Sequence, residues 1–174
     1  SGYRAASYSI TKRSLWALDI LAELGFSYDS SIFPVHHDRY GIPNSPRWPY
    51  RLDMPSGGSI IEFPPSTLMI GGHCLPVGGG GYFRIYPYQF TRFALFCINR
   101  SEGRPFIFYL HPWEIDPEQP RIRTGWLSTF RHYTNLSQCE KRLHRLLRDF
   151  QFWPAREVLE NSIIPIHGPV GTIE

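Results

Sequence analysis

The sequence predicts an α/β fold, and three observations carry that prediction. Residues 105–110, "PFIFYL", are apolar at consecutive positions, which is how a strand covered on both faces of a parallel sheet reads. The segments that follow Thr11, Pro87 and Asn135 repeat their apolar residues at the helical period. Short apolar runs alternate with these segments, an order that suits a parallel sheet or barrel with helices packed on it.

Thr11 is placed to cap the first helix. Leu15, Leu18, Leu21 and Ala22 share one face of it, Lys12, Asp19 and Glu23 line up opposite, and Gly25 supplies a left-handed stop. Residues 30–58 are rich in proline and hold no lasting period, so they are expected to form a long loop. "SIIEFPPS" (59–66) predicts a short strand ended by paired prolines. The glycine-rich residues 71–81 are expected to lead into a second short strand, "YFRIYP". Pro87 opens a helix whose core stripe is Phe90, Phe93, Ala94, Cys97 and Ile98, with Gly103 just past its end. After the 105–110 strand, a helix capped near Asn135 places Leu136, Cys139, Leu143, Leu146, Leu147 and Phe150 on one side and Lys141, Arg142, Arg145 and Arg148 largely on the other. "REVL" (156–159) suggests a last strand, and residues 161–174 a tail. At 174 residues the chain is long enough for one domain, residues 1–160, around a single core.

Composition excludes several classes. No apolar run approaches the roughly 20 residues that cross a bilayer. The formal charge of +3 comes from 18 basic and 15 acidic residues scattered along the chain, without the basic stripe of a nucleic-acid binder. Cys74, Cys97 and Cys139 form no C-x-x-C pair, which argues against a disulfide framework or a cysteine-rich zinc site and for three reduced thiols. His36 and His37 are adjacent, and adjacent side chains on an extended chain point to opposite sides, so with Asp38 they are not expected to share an ion. Gly78 to Gly81 lack the Gly-Lys-Ser/Thr ending of a phosphate cradle and are read as a tight backbone turn. Neither Ser56 nor Ser59 stands in a G-x-S-x-G elbow, so a serine hydrolase has no nucleophile here.

The best candidate for chemistry lies at the carboxyl end of the "PFIFYL" run, where ligands of α/β folds bind. His111 there can act as a general acid or base, Glu114 can orient it, and Trp113 offers a flat apolar face with a polar edge. Asp116 is read as solvated.

Several blocks, in one order, resemble a known family: "GYRAASYSITKRSLWALDILAELGFSYDSSIFP", "RYGIP", "EFPPST", "GGGGYFR", "FYLHPWEID" and "RHYTNL". They look like the polysaccharide deacetylases of the NodB-homology type, particularly the subfamily of bacterial exopolysaccharide clusters that also encode an exosortase. The likeness spans nearly all of residues 2–159. It implies a distorted (β/α) barrel that hydrolyses N-acetyl groups of an amino-sugar polymer with a divalent metal such as zinc, held by one Asp and two His, while another Asp acts as base. By position, His111 in Leu110-His111 matches the family's general acid, and Arg4 matches the arginine that holds the catalytic Asp. Ser7 sits where a backbone N–H helps bind the oxyanion, and Trp113, Tyr82 and Tyr109 are candidates for shaping the sugar cleft. Ala6 stands where the family usually has Pro, which should loosen the loop carrying Arg4. The family's metal ligands and base lie before its arginine motif, so this chain is expected to be the carboxyl-terminal portion of the domain. It should lack the first barrel strands, bind no metal alone, be inactive by itself, and tend to self-associate through exposed edges. The resemblance leans towards a cytoplasmic or membrane-proximal bacterial setting. A noncatalytic carbohydrate-binding or scaffold remnant of the same fold is the alternative.

Overall fold

A computed structural model describes residues 1–37, 40–122 and 125–161. The chain folds as a mixed α/β protein in two compact units, Ser1–Leu75 with the segment from Trp153, and Pro76–Phe152. A single core is the expectation from length. The division arises because all four strands of the main sheet come from residues 2–62, so the later helices pack on one another instead.

In the first unit, β1 (Gly2–Tyr3), β2 (Tyr28–Asp29), β3 (Tyr50–Asp53) and β4 (Ser59–Glu62) form a sheet in the order β1-β2-β4-β3. β1, β2 and β4 run parallel, and β3 is antiparallel to β4 with Tyr50 opposite Glu62. The stretch read as one long loop therefore contains a strand, because Tyr50 and Leu52 alternate with Arg51 and Asp53 along an edge. Thr11 opens a short 3₁₀ turn, Lys12–Ser14, that leads into α1 (Trp16–Glu23), and Gly25 ends it at φ +78°. Leu18 and Leu21 of α1 pack on Ala5, Ile10, Ile32, Ile42 and Ile60, with Leu15, Ala22 and Leu52 at the margin. β5 (Thr67–Ile70) and β6 (His73–Pro76) make a separate two-stranded sheet across Gly71 and Gly72, both at positive φ as a two-residue turn requires.

The second unit opens with α2 (Gly80–Ile85), where a strand is predicted. Arg142 explains how six residues hold as a helix: its Nη1 donates to the carbonyls of Phe83, Arg84 and Tyr86, and Asn135 Nδ2 donates to Arg84 O. These are carbonyls that a helix end leaves without partners. Arg142 thus faces inward rather than outward, and Asn135, with φ +55°, serves α2 and not its own helix. α3 (Tyr88–Phe96) continues into a wider turn, Cys97–Ser101. Its buried stripe is Tyr88, Thr91, Ala94, Leu95 and Ile98, while Phe93 is exposed. α4 (Trp126–Tyr133) and α5 (Leu136–Asp149) follow; Leu136, Cys139 and Leu146 of α5 are buried, but Leu147 is not. Burial, and then the charge of Glu114, push the Cys139 thiol up to about 11.

The segment 105–110 makes, among the described residues, one parallel bridge, Tyr109 with Gly79. Its apolar side chains are covered by rings rather than by neighbouring strands: Phe106 meets Phe150 at 5.2 Å, and Phe108 meets Phe83 at 4.8 Å, both edge to face. "REVL" lies in α6 (Ala155–Asn161), a helix rather than a strand. The tail beyond Asn161 is outside the described residues. Among the described residues the strands form two open sheets and no barrel closes.

Candidate functional site

Gly79 fixes where the 105–110 segment ends. Tyr109 N–H donates to Gly78 O and Gly80 N–H donates to Tyr109 O, and a Cβ on Gly79, whose φ is +118°, would lie 2.0 Å from Tyr109 O. Only glycine permits that approach. The four-glycine run is a tight backbone turn, as read from sequence, although it leads into a helix and not into a strand.

Two residues on, His111 precedes a 3₁₀ turn, Pro112–Ile115. The turn brings Glu114 back under it. Glu114 Oε2 accepts the His111 backbone N–H at 3.0 Å and lies 3.1 Å from His111 Nδ1. Glu114 is wholly buried, and its other oxygen accepts Arg84 Nε at 2.9 Å. Arg84 is itself buried, and its remaining donors are used on the carbonyls of Arg131, His132 and Thr134. A carboxylate can only accept, so Nδ1 of His111 carries the proton and Nε2 is left as the reactive nitrogen. With its side chain 55% exposed, the ring is open to solvent. A carboxylate held by a buried guanidinium, and an imidazole oriented by that carboxylate, make a fixed proton-transfer unit.

Aromatic rings surround it. Tyr109 meets the His111 ring edge to face at 5.8 Å, and Trp113 lies near-parallel to it at 5.7 Å. Trp113 is also stacked on His132 at 4.1 Å, with the Arg84 guanidinium 5.1 Å from its ring. Gln119 ties the stack together: its Nε2 donates to Trp113 O, and its Oε1 lies 2.9 Å from His132 Nε2. So His111, Trp113 and Tyr109 come together as the sequence suggests, whereas Tyr82 lies on α2 with Tyr86 as its ring neighbour at 5.8 Å. Asp116 is exposed; its carboxylate accepts the Glu118 backbone N–H and its carbonyl accepts Gln119 Nε2–H. Arg84, His132 and Gln119 carry no motif that marks them in the sequence; for Arg84 the signal is a charge in the middle of the apolar run "YFRIY".

Arg4 and Ser7 belong to the first unit. Arg4 donates from Nε and Nη2 to Ser30 O and Oγ, at 3.1 and 2.8 Å. Ser7 and Tyr8 are both left-handed, at φ +56° and +53°, a pairing that costs non-glycine residues of order 1–3 kcal/mol each. It is sustained because Tyr8 is buried against Phe33, with ring centroids 5.0 Å apart, and Tyr8 N–H bonds to Ala5 O. His37 stacks on Tyr40 at 3.8 Å, and Asp38 falls outside the described residues.

Beside Arg4 lies a buried carboxyl pair. Asp29 and Glu62 are register partners on β2 and β4, and both are fully buried. Asp29 is satisfied by Ser31, through N–H and Oγ. Glu62 Oε1 accepts Ile32 N–H, and among the described residues Oε2 has no hydrogen-bond partner at bonding geometry. Burial first, and the Asp29 charge second, raise the Glu62 pKa well above its ordinary value. A carboxyl group whose folded-state pKa is raised contributes stability that is fully present below its unfolded value, about 4.3, and lost as pH rises through the folded one. Urea unfolding of the wild type should therefore show the first unit weakening as pH climbs above that value, and Glu62→Gln should flatten the slope. An unchanged slope in the variant would assign the dependence elsewhere.

A family model described as a domain of unknown function, DUF3473, matches residues 30–160, about three quarters of the chain. No curated protein and no solved structure matches it.

Proposed function

We propose that this chain, which belongs to the DUF3473 family, supplies the proton-donating part of a polysaccharide N-deacetylase. The observation that carries the reading is the His111 unit: a half-exposed imidazole whose Nδ1 is held by a buried, Arg-paired carboxylate. The motif resemblance supports the substrate class, an N-acetylated amino-sugar polymer.

In the proposed reaction the catalytic carboxylate takes a proton from water as its oxygen adds to the acetamide carbonyl, and His111 in its doubly protonated form gives its Nε2 proton to the nitrogen as the C–N bond breaks, releasing acetic acid, which ionises to acetate, and a free amine, and leaving the ring with its Nδ1 proton. Tyr109 and Trp113 confine the imidazole to one orientation. Arg4 is proposed to orient a catalytic carboxylate, and the loop at Ser7 to present its backbone N–H to the developing oxyanion, a role that its pinned left-handed turn suits. A divalent metal is part of the activity that the resemblance implies. Among the described residues no three His, Cys, Asp or Glu side chains come together as ligands, and the ligands of the ion are proposed to come from sequence preceding Arg4. The (β/α) barrel likewise belongs to this proposal.

The test is acetate release from an N-acetylated glucosamine oligomer by the chain joined to its preceding coding sequence. We expect chelator-sensitive release there, and none from residues 1–174 alone. Binding of the oligomer by the joined protein, without hydrolysis under any metal, would favour a carbohydrate-binding remnant instead.

A further inference from the structure

We propose that the outer face of α4 docks the protein onto an anionic lipid surface. Trp126, Leu127 and Phe130, at positions i, i+1 and i+4, share that face and are 81%, 44% and 51% exposed, and Ile122 just before the helix is 71% exposed. No residue of α4 is buried. A helix of eight residues is too short to persist in water by its own hydrogen bonds, so it requires anchoring. Its carboxyl end has that anchor, in the Arg84 bonds to the carbonyls of Arg131 and His132 and in the His132 stack on Trp113. The opposite end carries the large apolar side chains into solvent.

Charge decides what covers this face. Between Pro120 and Gln138 the sequence has three Arg and no Asp or Glu. Arg131 is exposed on the turn after Leu127 and makes no ion pair among the described residues, while Arg121 lies over the Tyr133 ring at 5.4 Å. Two other exposed apolar faces are electrically mixed: Trp16 and Ile20 of α1, with Leu24 just past it, are interleaved with Asp19 and Glu23, and beside Phe93 of α3, Arg92 is paired with Asp149. Indole, phenyl and aliphatic groups on a stretch of chain that carries arginine and no acid are the composition that settles at the headgroup boundary of an anionic bilayer. Leu127 and Ile122 offer a sugar polymer nothing to hydrogen-bond, which disfavours that occupant.

Co-sedimentation of the full chain with vesicles tests the proposal without reference to catalysis. The chain should sediment with phosphatidylcholine vesicles containing a quarter phosphatidylglycerol, less with phosphatidylcholine alone, and progressively less as salt is added. Trp126→Ser with Phe130→Ser should lower partitioning at least about tenfold, and Arg131→Gln about fivefold. Quenching of tryptophan fluorescence by brominated lipid should be lost in Trp126→Phe, a change mild enough to preserve the fold if the double variant does not. Absence of sedimentation, or sedimentation indifferent to these changes, would overturn it. So would a face whose double substitution abolishes self-association or oligosaccharide binding while vesicles remain unbound.

Discussion

Replacing Arg84 with Met should lower the unfolding free energy of the second unit by about 3–5 kcal/mol, the usual cost of removing one partner from a buried ion pair. Arg84 and Glu114 are 1% and 0% exposed at the side chain, and their contact is 2.9 Å. Methionine keeps most of the stem's volume, so little of the loss would come from a cavity. It would leave the Glu114 carboxylate in a dry site with only the His111 ring and backbone N–H against it, and strand the carbonyls of Arg131, His132 and Thr134, each of which Arg84 now satisfies. Those three carbonyls tie α4 to α2, so its loss should be felt as early fraying of α4. Adding Glu114→Gln removes the isolated charge, and the double variant should be no less stable than Arg84→Met alone, because coupled residues do not add. Urea unfolding followed by far-UV circular dichroism reads both effects. A loss below about 1 kcal/mol would show that the pair contributes no more than an exposed one.

How much of this was legible beforehand depended on the range of the interactions. α1, α3 and α5 announce themselves because amphipathic periodicity is local, and β4 because paired prolines end it. α2 does not: six residues carry less than two turns of pattern, and what stabilises them is Arg142, more than fifty residues away. In the run 105–110 Ile107 is buried and the other apolar residues are half-buried, and consecutive apolar residues do not reveal whether strands or aromatic rings do the covering. His111 and Glu114 could be paired on paper because they stand three apart. The third member, Arg84, could not, since a buried cation thirty residues upstream leaves no periodic trace. For the same reason Arg4 was found by resemblance, while the Asp29 and Glu62 pair beside it, created by the register of β2 on β4, was not found at all.

The second large effect falls on catalysis. In the deacetylase assay of the extended protein, His111→Asn should reduce kcat by about 10²–10⁴-fold, the usual contribution of a positioned proton donor, with little change in KM and little in stability, since the ring is half exposed. Glu114→Gln should be nearly as damaging by a different route. The carboxylate oxygen 3.1 Å from Nδ1 can only accept, which confines the neutral ring's proton to Nδ1. A carboxamide can turn its NH₂ towards Nδ1 instead and stabilise the other tautomer, in which Nδ1 is the basic nitrogen and the proton that should be transferred and regained at Nε2 is no longer governed by the site. Nitrogen-15 NMR of the imidazole therefore separates positioning from stability. The wild-type ring should show a protonated Nδ1 in its neutral form, and the folded variant a population of the Nε2–H tautomer that rises in step with the loss of kcat. Should Glu114→Gln lose activity while the tautomer stays as it was, Glu114 would be a structural partner of Arg84 alone, and the proton-transfer role of His111 would have to rest on its own substitution.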